Sequence, residues 1–216
     1  MSERIRVWDL PTRFFHWLLV LSFAGAFFSA DSERNRDLHV LFGYTILGLI
    51  SFRLIWGFIG SRYARFSSFV YYPKVVYLYL CQLIQNKARH PVGHNPAGAV
   101  VIILLLLLGI ASGLTGWAVY EDIGTDLLPE WHELISNAML AVVCVHITGV
   151  LVSSFLQGEN LIATMITGKK QGEANQAIVS NVSSLAWLLL AIVIALWLWA
   201  WPATKGLVWL RQMLPW

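Results

Sequence analysis

The stretch that decides the fold is 131–146, WHELISNAMLAVVCVH, inside an apolar segment that continues to about Gln157. It contains two histidines, His132 and His146, fourteen residues apart. On an α-helix that spacing is almost four turns, so both imidazoles leave the same face, about 21 Å apart along the axis. A helix this long and apolar can cross the hydrocarbon core of a bilayer, which is about 30 Å thick. Because ionisable side chains at membrane depth usually mark function, these two histidines are the first candidates for a site.

The composition of the 216-residue chain is that of an integral membrane protein. Hydrophobic residues make up 57% and charged residues 12%, and the mean hydropathy is +0.64. The net charge of +3 gives no indication of nucleic-acid binding. Cys81 and Cys144 stand alone, without a CxxC or CxxCH pattern. A disulfide framework, a thiolate zinc site and a covalently attached haem are therefore disfavoured.

Five apolar segments are long enough to cross the membrane, covering about 14–30, 38–59, 97–120, 132–157 and 185–201. A shorter stretch, about 73–84, predicts a helix lying in the membrane interface. The first segment is similar to a signal peptide, but we expect no cleavage because it would discard His16, which the site below needs. The sequence therefore predicts an all-α membrane protein. Residues 1–157 are expected to form a four-helix transmembrane bundle, and 158–216 a cytoplasmic loop, a fifth span and a periplasmic tail.

The distribution of basic residues predicts the orientation in the membrane. Eleven of the fifteen Lys and Arg residues fall on one side if the N-terminus is cytoplasmic, and the loop 121–130 on the other side contains none. By the positive-inside rule we expect a cytoplasmic N-terminus and, with five spans, a periplasmic C-terminus.

Orientation also fixes the depth of four histidines. His39 and His132 begin the second and fourth spans on the outer side. His16 lies fourteen residues before the outer end of the first span, and His146 follows His132 by the same number. Both are therefore about 21 Å deep. The sequence predicts two layers, His39 with His132 near the outer face and His16 with His146 toward the cytoplasm, since a four-helix bundle directs such side chains inward.

Each layer offers two imidazole nitrogens, and such a pair suits an iron porphyrin. Neutral imidazole is a good ligand for haem iron, and the apolar body of the porphyrin suits the bilayer interior. Zinc would need further ligands, and Glu133 is the sole nearby acid. Two axial nitrogens leave the iron no open position, so two such centres would form an electron path. The alternatives are histidines that only pack helices, and asymmetric use in metal binding or proton relay.

Several motifs are similar to those of a known family: VWDLPTRFFHW (7–17), HVLFGYTILGLISFRLIWGFIGSRYARF (39–66), GHNPAG (93–98) and the histidine pair of the fourth span. From about Arg6 to Lys170 the chain resembles the bacterial cytochrome b561 / nickel-hydrogenase cytochrome b family, which also resembles the membrane subunit of respiratory formate dehydrogenase.

The resemblance implies a four-helix core with two haem b groups, each held by two histidines, and electron exchange between the quinone pool and a redox partner. The family's ligand pattern transfers onto His16, His39, His132 and His146, in the same pairs. The chain has no obvious large soluble module, so the resemblance leaves the partner open.

Other residues are candidates for contacts with these cofactors. Arg13, Arg53 and Arg62 could pair with haem propionates, or could simply anchor the helices on the cytoplasmic side. Gly43, one turn after His39, could admit the porphyrin plane or pack against a neighbouring helix.

Two loops are candidates for contacts with partners. The segment with His90, His94 and Asn95 could line a quinone pocket, although a solvated loop or helix cap is the simpler interpretation. Five carboxylates near the outer layer could steer a basic partner such as a cytochrome c. They are Glu121, Asp122, Asp126, Glu130 and Glu133.

The leading hypothesis is a two-haem b-type cytochrome of the bacterial inner membrane. It would carry electrons between the quinone pool and a periplasmic cytochrome c or a hydrogenase- or dehydrogenase-type enzyme. The sequence shows no phosphate-binding loop, nucleophile with a base, or flavin fingerprint. A metal or ion permease using membrane histidines is an alternative, but it predicts broken or charged helices at the midplane. A membrane anchor subunit is another, and it would leave the paired histidines unexplained.

Overall fold

The computed structural model describes residues 3–85, 87, 91–179 and 181–200. Helices dominate these residues, and their bounds are α1 Leu10–Ser29, α2 Arg36–Ile59, α3 Pro73–Ile84, α4 Pro96–Tyr120, α5 Leu128–Gln157, α6 Leu161–Thr167 and α7 Ser183–Ala200. Two short strands accompany them, β1 Glu3–Arg6 and β2 Lys169–Gly172. Short 3₁₀ turns lie at Glu33–Asn35, Phe66–Ser68 and Ala174–Gln176.

Five of these helices, α1, α2, α4, α5 and α7, are long and apolar enough to cross a membrane. The all-α membrane architecture with five spans is confirmed. The first span begins four residues earlier than predicted, because Asp9 caps α1 by accepting the Thr12 backbone N–H at 2.8 Å and proline favours the first turn. Proline in the first turn also starts α5 at Leu128, before the predicted 132. The predicted end of the fifth span, residue 201, lies outside the described residues.

The spans pack mainly as neighbouring pairs: α4 on α5, α1 on α2, α2 on α4, and α1 on α7. Leu49 and Ile50 of α2 are almost fully buried at the centre of the apolar core, with Leu106 of α4 and Leu189 of α7 in the same cluster. The fifth span is therefore fastened to the outside of the α1–α2 pair. Trp197 reinforces this contact, since its indole N–H donates to Thr45 Oγ1 at 2.9 Å.

Within the described ranges, α1 and α5 are not among the closely packed helix pairs. Met139 is the one fully buried residue of α5, and many of its apolar side chains are exposed, as expected of a helix facing lipid. The helices that carry His16 and His146 are therefore not in close backbone contact along their length.

The small sheet on the side of the N-terminus was not predicted from the sequence. Strand β1 pairs with β2 antiparallel, in a register that runs from Glu3 opposite Gly172 to Arg6 opposite Lys169. The backbone N–H groups of Val7 and Trp8 extend this contact by donating to the Gly168 carbonyl, at 2.9 and 3.1 Å. Residues 3–8 are thus hydrogen-bonded to residues 168–172, which follow α5 and α6. Both segments must therefore lie on the same side of the membrane.

Helix α3 matches the predicted interfacial helix at both ends. It packs against α4 and leaves much of its apolar surface exposed, including Tyr77, Leu78 and Ile84. A short helix with one packed face and one exposed apolar face is suited to the lipid headgroup boundary.

Candidate functional site

His39 of α2 and His132 of α5 come together, as the predicted outer layer requires. Their ring centroids are 6.1 Å apart and the ring planes are almost perpendicular. A metal ion about 2 Å from one nitrogen of each ring, with the ring centre about 1 Å further on, would place the two centres about 6 Å apart. The pair is therefore spaced for the opposite sides of one metal ion.

Hydrogen bonds orient both outer imidazoles. Nδ1 of His39 lies 2.8 Å from the Ala26 carbonyl oxygen, and Nδ1 of His132 lies 3.0 Å from the Ser112 carbonyl oxygen. Because a carbonyl only accepts, Nδ1 is the donor in each ring and Nε2 keeps its lone pair. Protein histidines that bind metals are commonly fixed in this way, by a second hydrogen bond from the other ring nitrogen.

A cavity of about 500 Å³ lies between the helices at this level, lined by both outer histidines and mainly by apolar residues. Gly43 lines it, and a Cβ added there would meet nothing within 4 Å, so close helix packing does not explain this glycine. Asp31, Arg36 and Glu133 line the cavity as well; Asp31 lies in the turn after α1, and the other two lie near the starts of α2 and α5. The shape and chemistry fit a flat, largely apolar cofactor with polar groups at its outer edge.

His16 of α1 and His146 of α5 are the candidates for the inner layer. In the part of the chain that the structure describes, Nδ1 of His16 is buried and has no hydrogen-bond partner. The His16 ring meets the Trp17 ring edge to face at 5.0 Å. The pairing of His16 with His146 in an inner layer stays a prediction.

Arg53, toward the C-terminal end of α2, is buried although it is charged, with only 3% of its surface exposed. Its guanidinium carbon lies 5.0 Å from the ring centroid of Phe66 and 5.7 Å from that of Phe69. Nη1 has no hydrogen-bond partner among the described residues. A buried cation with a free donor is costly, and a carboxylate from a bound group would satisfy it.

The other two candidate arginines have different surroundings. Arg13 donates to the Ile166 carbonyl, which ties the start of α1 to the end of α6, and its buried Nε has no partner in the described residues. Arg62 is exposed and its guanidinium lies over the Tyr63 ring at 5.4 Å. Arg53 is therefore the best placed of the three for a buried anionic group.

Asp9 holds this inner region together. It is fully buried, and besides capping α1 it accepts the indole N–H of Trp56 at 3.1 Å. The cap fixes the first turn of α1, and the Trp56 bond joins that turn to the last turns of α2. Asp9 therefore links the start of α1, the helix of His16, to the C-terminal turns of α2, the helix of Arg53.

His94 is packed inside the protein, contrary to the interpretation as a solvated loop. Its ring lies between Trp8 and Phe69, with centroid distances of 4.6 and 4.5 Å. Burial first, and then the nearby charges of Arg53, His146 and Lys170, lower the pKa of His94 to about 3. The neighbouring Asn95 is a helix cap, accepting the Gly98 backbone N–H at 2.7 Å. His90, the third residue of this hypothesis, lies outside the described residues.

The acidic residues of the outer side are exposed and follow α4 or begin α5. Within the described ranges, no group of three or more His, Cys, Asp and Glu residues is placed to hold a metal ion. A metal site built from protein side chains alone is thus not found there, whereas histidine pairs suit a metal that brings its own equatorial ligands.

Three residues that support His132 were not predicted as site residues. The Ser112 carbonyl and the Thr115 hydroxyl of α4 contact Nδ1 of His132. Gly116 of α4 lies against the same ring, which an added Cβ would meet. Their i, i+3, i+4 spacing marks one helix face, and that spacing was the available signal.

Comparison with protein families decides the identity of this bundle. The family model described as prokaryotic cytochrome b561 matches residues 7–168. The chain belongs to the prokaryotic cytochrome b561 family. The matched residues include all four histidines of the two layers, and the family resemblance inferred from the sequence motifs is confirmed.

Curated relatives are distant but extend over most of both chains. A probable Ni/Fe-hydrogenase B-type cytochrome subunit of Azotobacter vinelandii is 24% identical over 76% of this chain and 87% of its own length. A probable Ni/Fe-hydrogenase 1 B-type cytochrome subunit of Escherichia coli K12 is 23% identical over 75% and 88%, and the Bradyrhizobium diazoefficiens relative is 22% identical over 77% and 86%. No solved structure matches the chain.

With its family and its apolar helices, the protein is a multi-pass bacterial membrane cytochrome of the b type, which binds haem b and functions in electron transfer.

Proposed function

We propose that the protein holds two haem b groups in layers and carries electrons in the bacterial inner membrane between the quinone pool and a redox protein partner. The observation that carries this proposal is the His39–His132 pair. Its rings stand 6.1 Å apart, Nδ1 of each is engaged by a carbonyl, and both rings line one cavity. This leaves each Nε2 available as an axial ligand.

At the inner layer, His16 and His146 are the proposed axial ligands of the second haem. Arg53 supports this proposal because its buried Nη1 is a free donor for a propionate carboxylate. Gly43 would give the outer porphyrin access to the helix backbone. Arg13 is the weaker candidate for a propionate contact, since it already donates to a carbonyl.

The residues of this chain suit electron transfer. When bound, the haems supply one-electron chemistry. The two histidines of each layer would hold one haem and would leave little access to its iron for other ligands. The mainly apolar lining of the outer cavity would limit access of water to the cofactor, and the hydrogen bonds of His39 and His132 would hold both rings in one orientation.

For the orientation, we propose a cytoplasmic N-terminus and a periplasmic C-terminus. The excess of basic residues on the side of the leader supports it. The strand pair is consistent with it, because four spans separate β1 from β2 and an even number of crossings returns the chain to the same side.

The proposed redox partner is an oxidoreductase subunit or a cytochrome c on the periplasmic side. The curated relatives, whose printed names describe hydrogenase cytochrome subunits, support the former. The exposed carboxylates of 121–133 would attract a basic surface. Exchange with quinone in the membrane completes the proposed path.

The test is a dithionite-reduced minus oxidised spectrum of the purified protein with a pyridine haemochrome count. We expect two b haems in the wild type and about one in each of His39→Ala and His146→Ala. His94→Phe, which keeps the ring stack and changes a histidine outside both layers, is the control and should retain two. A wild type without haem, or one haem indifferent to both alanine substitutions, would refute the two-layer proposal and favour a permease or an anchor subunit.

A further inference from the structure

Helix α4 carries no proposed haem ligand, yet it forms the support of one. The ring of His132 from α5 rests against α4, where its Nδ1 meets both the Ser112 carbonyl oxygen at 3.0 Å and the Thr115 hydroxyl oxygen at 3.1 Å. A Cβ on Gly116 would lie 2.8 Å from Cε1 of the same ring. The outer ligand is thus held by the neighbouring helix along a single face.

The hydroxyl of Thr115 is oriented as an acceptor toward His132. Its own proton is directed back along α4, since Oγ1 lies 2.8 Å from the Ala111 carbonyl oxygen and 3.1 Å from the Ser112 carbonyl oxygen. Carbonyls cannot donate, so Oγ1 donates to one of them and presents a lone pair to Nδ1–H of His132. Nδ1–H of His132 therefore faces two acceptors, while that of His39 faces the Ala26 carbonyl.

Acceptors on Nδ1–H make Nε2 more basic, and a more basic axial ligand stabilises the ferric state. We propose that Thr115 is a positioning residue of the outer haem site, which orients His132 and lowers the midpoint potential of the haem that His132 binds. This inference rests on the proposed function, because it takes His132 as an axial ligand.

The experiment is a potentiometric titration of the purified holoprotein, with Thr115→Val, Thr115→Ser and Thr45→Val beside the wild type. Valine keeps the shape of threonine and removes the acceptor, whereas serine keeps the hydroxyl. Thr45 is the matched control, because it is a buried threonine of the membrane helix α2. Like Thr115, it donates to a carbonyl of its own helix, that of Leu41 at 2.8 Å. This bond involves neither His39 nor His132.

We expect Thr115→Val to raise one of the two midpoint potentials, while the other stays unchanged. Only the difference in hydrogen-bond strength between the two oxidation states shifts the potential. The loss of one neutral hydrogen bond therefore changes the redox equilibrium by at most about fivefold, which is about 40 mV for one electron. Thr115→Ser should restore the wild-type value, and Thr45→Val should leave both potentials in place.

Unchanged potentials in Thr115→Val would overturn the inference. If part of the Thr115→Val preparation loses a haem, the potentials are measured on the fraction that retains both, and unchanged values there would also overturn it. The proposed function fails in a different way, since it would be refuted by a wild type without two haems. The two failures are therefore distinguishable from the haem count alone.

Discussion

Replacing Gly116 by alanine would test how closely the outer ligand is fitted to its neighbouring helix. The added Cβ would lie 2.8 Å from Cε1 of His132, whereas carbon atoms in favourable contact are about 3.5–4.0 Å apart. The ring must therefore move by about 1 Å. This movement would break the two contacts of Nδ1, at 3.0 and 3.1 Å, because hydrogen bonds weaken steeply beyond their normal range.

The expected loss of affinity for the outer haem follows from these two hydrogen bonds. At about 1 kcal/mol for each hydrogen bond, the loss is about 2 kcal/mol, which corresponds to about a 30-fold weaker hold on the outer haem. Losses of about 10–100-fold in metal affinity are typical when a ligand loses its supporting partner. We expect Gly116→Ala to be purified with one haem close to full occupancy and the other depleted.

The assay is the haem-to-protein ratio of the detergent-purified variant, followed by titration with added haem. Gly48→Ala is the matched control, since this exposed glycine of α2 would meet nothing within 4 Å and alanine favours helix by about 1 kcal/mol. Gly116→Ala with two fully occupied haems and an unchanged haem titration would refute the view that α4 positions His132.

Three further predictions concern the inner side of the protein. Arg53→Met should deplete the inner haem and leave the outer one, because the buried guanidinium would no longer meet a propionate; a variant that keeps both haems and gains thermal stability would show that Arg53 is only an unpaired buried charge. Asp9→Ala should lower the free energy of unfolding in detergent by about 2–4 kcal/mol, since it removes a helix cap and leaves the Trp56 indole N–H unsatisfied; a loss below 1 kcal/mol, measured by denaturant titration, would contradict this. The lowered pKa of His94 means that the unfolded chain binds more protons than the folded one between pH 6.5 and about 3. Stability should therefore fall as the pH decreases through this window, and His94→Phe should flatten that decrease in melting temperature; an equally steep decrease in the variant would count against it.

The spans and the interfacial helix were predictable because their signal is local. A run of apolar residues of membrane length leaves few alternatives to a helix, and the predicted bounds of α2, α3 and α4 differ from the observed ones by at most two residues at each end. The pairing of His39 with His132 followed from equal depth once the orientation was set, and the structure brings these two rings together.

Long-range contacts between unlike segments were not predictable. Strand β1 has the sequence ERIR and β2 has KKQG, and neither shows the apolar alternation that marks a strand. Each of the two segments is extended because it pairs with the other, which is far away in the sequence. The surroundings of His94 are similar, since Trp8 and Phe69 reach it from the leader and from the loop after α2.

The strand pair also imposes an order on the assembly of the protein. Glu3 pairs with Gly172, so the leader must wait until α1, α2, α4 and α5 have been synthesised. At about 5–20 residues per second this takes on the order of 10–30 s. During that interval the leader has no strand partner, and Trp8 and Asp9 contact only the helices already made. The β1–β2 pair therefore forms late in biogenesis, after the four helices that separate the two strands.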